Sequence, residues 1–153
     1  APAAGKGVIF VAGAGNGGPK APPAYPAAYP EVIAVTAVDE DDKLYAEANR
    51  GGYISVAAPG VDILVPALKG KYDIASGTSM AAAFVSGVAA LVLERKGTLN
   101  APELRELLSR TARKPIGPLG TKPIGVGILD AAGAVAAQEA RAGAAGSGAS
   151  ARR

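Results

Sequence analysis

The sequence predicts an α/β fold with a mostly parallel sheet and flanking helices. Two short runs, 7–12 and 31–38, are rich in β-branched residues, the first continuously and the second largely apolar, which is typical of strands buried on both faces of a parallel sheet. The third observation is the segment 80–93, in which Ser86 is the only polar side chain. We expect this segment to belong to a helix over about 78–95 that is buried at the centre of the fold.

The other strands are indicated by turn signals between them. A third strand is predicted over 53–58, where Pro59 and Gly60 stop it, and the polar segment 45–52 before it is expected to be a loop. A short strand over 62–65 and a Gly-Lys turn then lead to Ser76.

The C-terminal part of the chain is predicted to be helical. Asn100 has the position of an N-cap, Pro102 follows in the first turn and Glu103 is placed for a capping box, so a helix should run to about Ala112. A loop that could contain a hairpin is expected over 114–127. A final helix is expected over about 131–141.

Length and composition bound the organisation and the partners of the chain. The 153 residues suffice for one domain, which we expect over 1–141, followed by a disordered small and polar tail over 142–153. The net charge of +3 comes from scattered Lys and Arg without interleaved aromatic residues, so we expect no nucleic-acid partner. No apolar run is long enough for a membrane span, so we expect no membrane partner. The chain contains no cysteine and no histidine, which excludes a histidine base from within it.

Ser79 lies where a polar corner enters the predicted buried helix. In the first helical turn the backbone N–H groups lack partners and the helix dipole is positive, which suits a nucleophile whose attack generates an oxyanion. The alternative is that Thr78 and Ser79 only cap the helix, and this stretch alone favours the cap. Asn16, in a glycine loop after the first strand, has an alternative as a turn residue that tolerates a left-handed backbone.

An ordered series of segments resembles the subtilisin-like serine proteases (subtilases). The segments are Ala12-Gly13-Ala14-Gly15-Asn16, Tyr25-Pro26-Ala27-Ala28-Tyr29-Pro30-Glu31-Val32-Ile33-Ala34-Val35, Ala58-Pro59-Gly60, Gly77-Thr78-Ser79-Met80-Ala81 and Gly125-Val126-Gly127-Ile128-Leu129-Asp130-Ala131. The resemblance runs from residue 7 to about residue 137. It implies the C-terminal part of a subtilisin-like catalytic domain, with N-terminal strands and helices missing.

The resemblance implies a role for each residue of the site. Ser79 would be the nucleophile that forms an acyl-enzyme with a peptide substrate, and the Asn16 side-chain amide together with the Ser79 N–H would stabilise the oxyanion. A specificity pocket would have one wall of residues without bulk and a small residue, Ala24, near its floor, leaving room for a large apolar side chain. The implied substrate-binding residues are Gly13, Ala14, Gly15, Ala24 and Thr78.

The chain departs from the family pattern in two ways. The family's catalytic Asp and His lie upstream of the oxyanion asparagine, and this chain has no histidine, so we expect it to be inactive alone. We do not expect Asp62, Asp73 or Lys71 to replace the missing base at Ser79. The family's usual Pro and His after the serine motif are replaced by Ala83 and Phe84, which bears on the placement of the serine.

Two alternatives to a truncated subtilase stay open. The related sedolisins pair their serine with Glu and Asp, but their oxyanion residue is an Asp, and Asn16 argues against that branch. A non-catalytic, protease-like module that binds peptides is the second alternative. Retention of both Asn16 and Ser79 argues against it, because a module without catalysis has no use for that pair.

The resemblance also bears on cofactors, partners and location. No cofactor is required for the chemistry, and a structural calcium ion is implied without assignable ligands, since the acidic run 39–42 is expected to be a solvated turn. The expected partners are a polypeptide substrate and the missing N-terminal part of the same domain. Self-association through an exposed apolar edge is a further expectation. Family resemblance implies a secreted or periplasmic protein.

Overall fold

The computed structural model of the chain describes residues 6–95, 99–115 and 124–150, with side chains described as far as residue 141. Within these residues a parallel sheet has the strand order β1 (Phe10–Gly13), β2 (Val32–Val38) and β3 (Val56–Pro59). Helices pack around this sheet, and the predicted α/β class with a parallel sheet is confirmed.

The central strand β2 anchors the core, since every one of its residues is buried. Val11 of β1 pairs with Ile33, and Val35 pairs with Val56 of β3, so apolar residues of neighbouring strands lie side by side. Ile128 adds a parallel bridge to Ala57 of β3, so the closing Gly-x-Gly segment extends the sheet beyond β3.

Helix α1 (Thr78–Glu94) lies against the parallel sheet and begins at the predicted residue. One face of the helix is buried, through Thr78, Ala81, Val85, Val88, Ala89 and Val92. The opposite face is exposed in the described part of the chain, where Phe84 is 44% and Leu91 53% accessible. The expectation of a helix buried on all sides therefore differs from the structure, because the sheet covers only one side.

An antiparallel hairpin connects the sheet to α1. It consists of β4 (Ile63–Ala67) and β5 (Lys71–Ala75), joined by a 3-10 turn over Leu68–Gly70. The sequence predicts β4 but not β5, whose residues were expected to form a turn and a connection. Because β5 ends next to Ser76, the hairpin sets the direction in which the chain enters α1.

The two remaining helices follow their capping signals. Helix α2 (Ala101–Thr111) has the predicted capping box, in which the Asn100 side chain accepts from the Glu103 N–H and Glu103 accepts from the Asn100 N–H. Helix α3 (Ala131–Ser150) begins where predicted but continues beyond the expected end near Arg141. The expected disorder of the tail stays a prediction, and residues 151–153 lie outside the described part of the chain. Most of the expected loop over 114–127 also lies outside the described residues.

Candidate active site

The end of β1 lies directly against the start of α1. A Cβ atom on Gly13 would lie 2.7 Å from Thr78 Oγ1 and 2.8 Å from the Thr78 carbonyl carbon, so any larger residue would displace the helix. Thr78 is 1% accessible, and its Oγ1 accepts a hydrogen bond from the Gly15 N–H at 3.1 Å. These contacts bind the glycine loop after β1 to the first residue of α1.

Asn16 extends this connection to the residue before Ser79. Its Oδ1 accepts a hydrogen bond from the Thr78 N–H at 3.0 Å, although the side chain itself is exposed. Its Nδ2 lies 3.0 Å from the position that a Cβ on Gly77 would occupy. Because Oδ1 is held by the Thr78 N–H, the Nδ2–H donors lie on the Gly77 side of the amide, at the start of the helix that carries the exposed Ser79.

The first turn of α1 is not capped by a side chain of its own. The N-cap is Gly77, and neither Thr78 nor Ser79 makes a capping hydrogen bond, so the capping interpretation of these two residues is wrong. Thr78 donates its N–H to Asn16, and Met80 donates to the Gly77 carbonyl at 3.1 Å. The Ser79 N–H is a first-turn donor between them, at the positive end of the helix dipole. Together with Asn16 Nδ2 it can serve an oxyanion formed by attack of Ser79 Oγ.

The corner before Ser79 is held from its other side as well. The Gly77 N–H donates to the Gly60 carbonyl at 2.7 Å, and the Ser76 hydroxyl accepts from the Asp62 N–H at 2.9 Å and donates to Asp62 Oδ1 at 3.2 Å. Asp62 is thus committed to Ser76. Asp73 accepts from the N–H of Ile74. Within the described residues these contacts give Ser79 no carboxylate partner.

The residues predicted to form the specificity pocket lie close together. The Cβ position on Gly15 is 3.0 Å from Ala24 Cβ, so the loop after β1 and the segment before the Tyr25-Pro26 bond are in contact. Ala14 is fully buried, and its carbonyl accepts from the Tyr53 hydroxyl at 2.7 Å. Residues 13–15 are thus packed against Thr78, Tyr53 and Ala24. Their substrate-binding role stays a prediction.

Asn49 belongs to this region and was missed by the sequence reasoning. It is 3% accessible and hydrogen-bonds to Gly15, Gly17 and Pro22. It lies in the polar segment 45–52, where nothing in the local pattern separates it from an ordinary loop residue. Its bonds join segments that are distant in sequence, so only the fold reveals them.

The shifted pKa values belong to groups of the surrounding scaffold. Asp42, 3% accessible, pairs through both oxygens with the guanidinium of Arg113, and this hydrogen bonding raises the pKa of Arg113. Burial lowers the pKa of Arg50, whose guanidinium donates to the carbonyls of Tyr45 and Ala48. These groups tie loops of the scaffold together.

The acidic run 39–42 is organised by its own backbone. Asp39 Oδ1 accepts from the N–H groups of Asp41 and Lys43, and Asp41 pairs with the Lys43 ammonium at 2.7 Å. No group of three or more His, Cys, Asp or Glu side chains suited to a metal ion occurs among the described residues. The expected calcium site stays a prediction without ligands.

A surface cavity of about 950 Å³ opens away from the predicted site. Its lining includes Tyr29, Arg50, Tyr53 and Arg105, and none of the predicted site residues contributes to it. Arg105 donates to the carbonyls of Pro30 and Val32 at 3.1 and 3.0 Å, so both arginines of the cavity are engaged with backbone. The cavity is therefore lined by groups that tie loops together.

No described helix has both the length and the apolar character needed to cross a membrane.

Known proteins are similar to most of this chain. The family model described as "Subtilase family" matches residues 1–146. The thermophilic serine proteinase of Bacillus sp. (strain AK1) is 45% identical over 109 residues, which are 71% of this chain and 26% of that protein. Subtilisin DY of Bacillus licheniformis is 40% identical over 109 residues, 69% of this chain and 40% of that protein.

A further relative is the halolysin-like extracellular serine protease Nep of Natrialba magadii. It is 44% identical over 108 residues, which are 69% of this chain and 19% of that protein. The chain thus spans 19–40% of the length of these relatives.

Proposed function

The chain belongs to the subtilase family, and on this premise we propose that it forms the nucleophile-bearing part of a serine endopeptidase domain. The observation that supports the proposal is the 3.0 Å hydrogen bond from the Thr78 N–H to Asn16 Oδ1, which joins Asn16 to the residue before Ser79. The relatives named as serine proteases support the same activity.

In the proposed reaction, Ser79 Oγ attacks the carbonyl carbon of a peptide bond while a base takes its proton. The carbonyl oxygen becomes negative and accepts hydrogen bonds from Asn16 Nδ2 and the Ser79 N–H. Breaking of the C–N bond releases the amine, which takes the proton back from the base, and water then hydrolyses the acyl-enzyme. No cofactor takes part in these steps.

We infer that the base and its orienting carboxylate come from another part of the same catalytic domain. The chain has no histidine, and the relatives that it matches are longer than it is. The exposed face of α1, with Ala83, Phe84, Gly87 and Leu91, is an apolar surface that such a part would cover. Left uncovered, the same face favours self-association of the isolated chain, whereas the missing base is the reason that we expect it to be inactive.

The substrate we propose is a polypeptide with a large apolar side chain at the scissile bond. The proposal rests on the family resemblance, in which residues 13–15 would form the wall of the pocket and the small Ala24, which lies against Gly15, its floor. We also propose that the whole protein acts outside the cell, because one relative is named an extracellular protease.

The test is hydrolysis of a fluorogenic peptide with an apolar residue before the cleaved bond. The chain alone should show no turnover, whereas the protein expressed with its upstream coding sequence should hydrolyse the peptide. Ser79→Ala should abolish this activity. Asn16→Ala should lower kcat by about 10²–10³-fold, the cost of losing one oxyanion donor in subtilisin, with KM little changed. The matched control Asn100→Ala alters a helix cap of α2 and should leave kcat unchanged.

Two outcomes would contradict the proposal. Hydrolysis that survives Ser79→Ala would exclude this serine as the nucleophile. Peptide binding without hydrolysis by the longer protein would instead support the non-catalytic, peptide-binding module.

A further inference from the structure

We propose that Asn49 is a positioning residue that fixes Asn16 in place for the oxyanion; this inference rests on the proposed function of Asn16. Asn49 holds both neighbours of Asn16. Its own N–H donates to the Gly15 carbonyl at 2.9 Å, and its Oδ1 accepts from the Gly17 N–H at 2.8 Å. Because Asn49 is only 3% accessible, its side chain is shielded from water, which would otherwise compete for these hydrogen bonds.

The loop around Asn16 needs such an external support. Gly15 and Gly17 carry no side chain that could pack against the fold. Gly15 has a φ of 106°, a backbone conformation that strongly favours glycine. Asn16 itself is exposed, and its side-chain oxygen accepts from the Thr78 N–H. The position of its amide therefore depends on how firmly the two flanking peptide groups are held.

The other half of the Asn49 amide ties the same loop to the predicted pocket floor. Its Nδ2 donates to the Pro22 carbonyl at 3.2 Å, two residues before Ala24 in the chain. A Cβ on Gly15 would lie only 2.6 Å from Asn49 Nδ2. An asparagine suits this position because one short, planar side chain supplies both an acceptor and donors. One residue thus couples the candidate oxyanion donor to the pocket.

The test is residue-resolved amide hydrogen exchange on the 153-residue chain under native conditions. Asn49→Ala removes the acceptor of the Gly17 N–H, and we expect that amide to exchange about tenfold faster or more. Because a displaced Asn16 releases the Thr78 N–H, the Thr78 amide should accelerate to a similar degree. A merely structural role of Asn49 would not change the exchange of Thr78, a residue that it does not contact.

Two further variants sharpen this test. Asn49→Asp keeps an acceptor for the Gly17 N–H, so it should restore slow exchange at both amides. Asn100→Ala removes the N-cap of α2, which is a different element from this loop, and should leave the exchange rates of both amides within about twofold of the wild type.

The proposal is overturned if Gly17 exchanges faster in Asn49→Ala while Thr78 keeps its wild-type rate. If Asn49→Ala does not fold, the exchange rates of Asn49→Asp decide the question. Faster exchange of the Thr78 amide while the Gly17 amide stays protected would show that the two amides are not coupled through Asn49, and would refute the proposal. Peptide hydrolysis by the longer protein is a separate readout, in which Asn49→Ala should lower kcat more than it raises KM. Failure of the peptidase assay would leave the exchange result intact, so the two proposals can fail independently.

Discussion

Replacement of Gly13 by alanine tests how tightly the candidate site is built. The new Cβ would lie 2.7, 2.8 and 2.9 Å from Oγ1, the carbonyl carbon and the carbonyl oxygen of Thr78. Two of these atoms belong to the backbone of α1 and cannot rotate away. Overpacking of this kind costs about 1–3 kcal/mol, and the strained hydrogen bond from the Gly15 N–H to Thr78 Oγ1 is worth about 0.5–1.5 kcal/mol. We expect the free energy of unfolding to fall by about 2–4 kcal/mol.

Urea unfolding followed by circular dichroism measures this change by linear extrapolation. The matched control is Gly87→Ala, the same substitution inside α1, where a Cβ would meet nothing within 4 Å. There the gain in helix propensity should raise the free energy of unfolding by about 0.5–1 kcal/mol. The two variants should therefore differ in sign. A Gly13→Ala chain as stable as the wild type would show that β1 and α1 do not depend on their close approach.

Three further predictions concern the scaffold. Asn100→Ala should lower the free energy of unfolding by about 1 kcal/mol in the same urea assay, because the Glu103 N–H loses its cap; an unchanged midpoint would contradict this. The hydrogen bond from the Asn100 backbone lowers the pKa of Glu103, so its stabilisation is complete above the ordinary pKa of 4.5 and is lost as the pH falls through the lower folded value. The wild type should therefore lose more stability on acidification than Glu103→Gln, and parallel losses would refute the assignment. Asp42→Ala should destabilise by about 2 kcal/mol more than Asp41→Ala, because Asp42 is buried against Arg113, and equal urea midpoints would contradict that difference.

Features with a strong local signal could be predicted from the sequence. The run of β2 is apolar at almost every position and is buried throughout, and the Asn100 cap lies where its side-chain chemistry places it. The corner at Ser79 is recognisable because a polar turn meets a long apolar segment. In each case the physical cause lies within a few residues of the feature, so the pattern suffices.

Features that depend on distant partners could not be predicted in this way. Strand β5 forms because it pairs with β4, and its mixed sequence alone does not indicate a strand. Asn49 bonds to residues 32 and 27 positions away, which no local pattern records. The apolar sequence of α1 indicates burial on every side, but which side is covered depends on the neighbours present. Its exposed Phe84 and Leu91 became visible only in the structure.

The central claim is that Ser79 is a nucleophile whose base lies outside this chain. Covalent labelling by a fluorophosphonate, with the modified residue identified by mass spectrometry, tests it directly. We expect rapid labelling at Ser79 in the protein expressed with its upstream coding sequence, none in Ser79→Ala, and essentially none in the isolated chain. Equally rapid labelling of Ser79 in the isolated chain would contradict it.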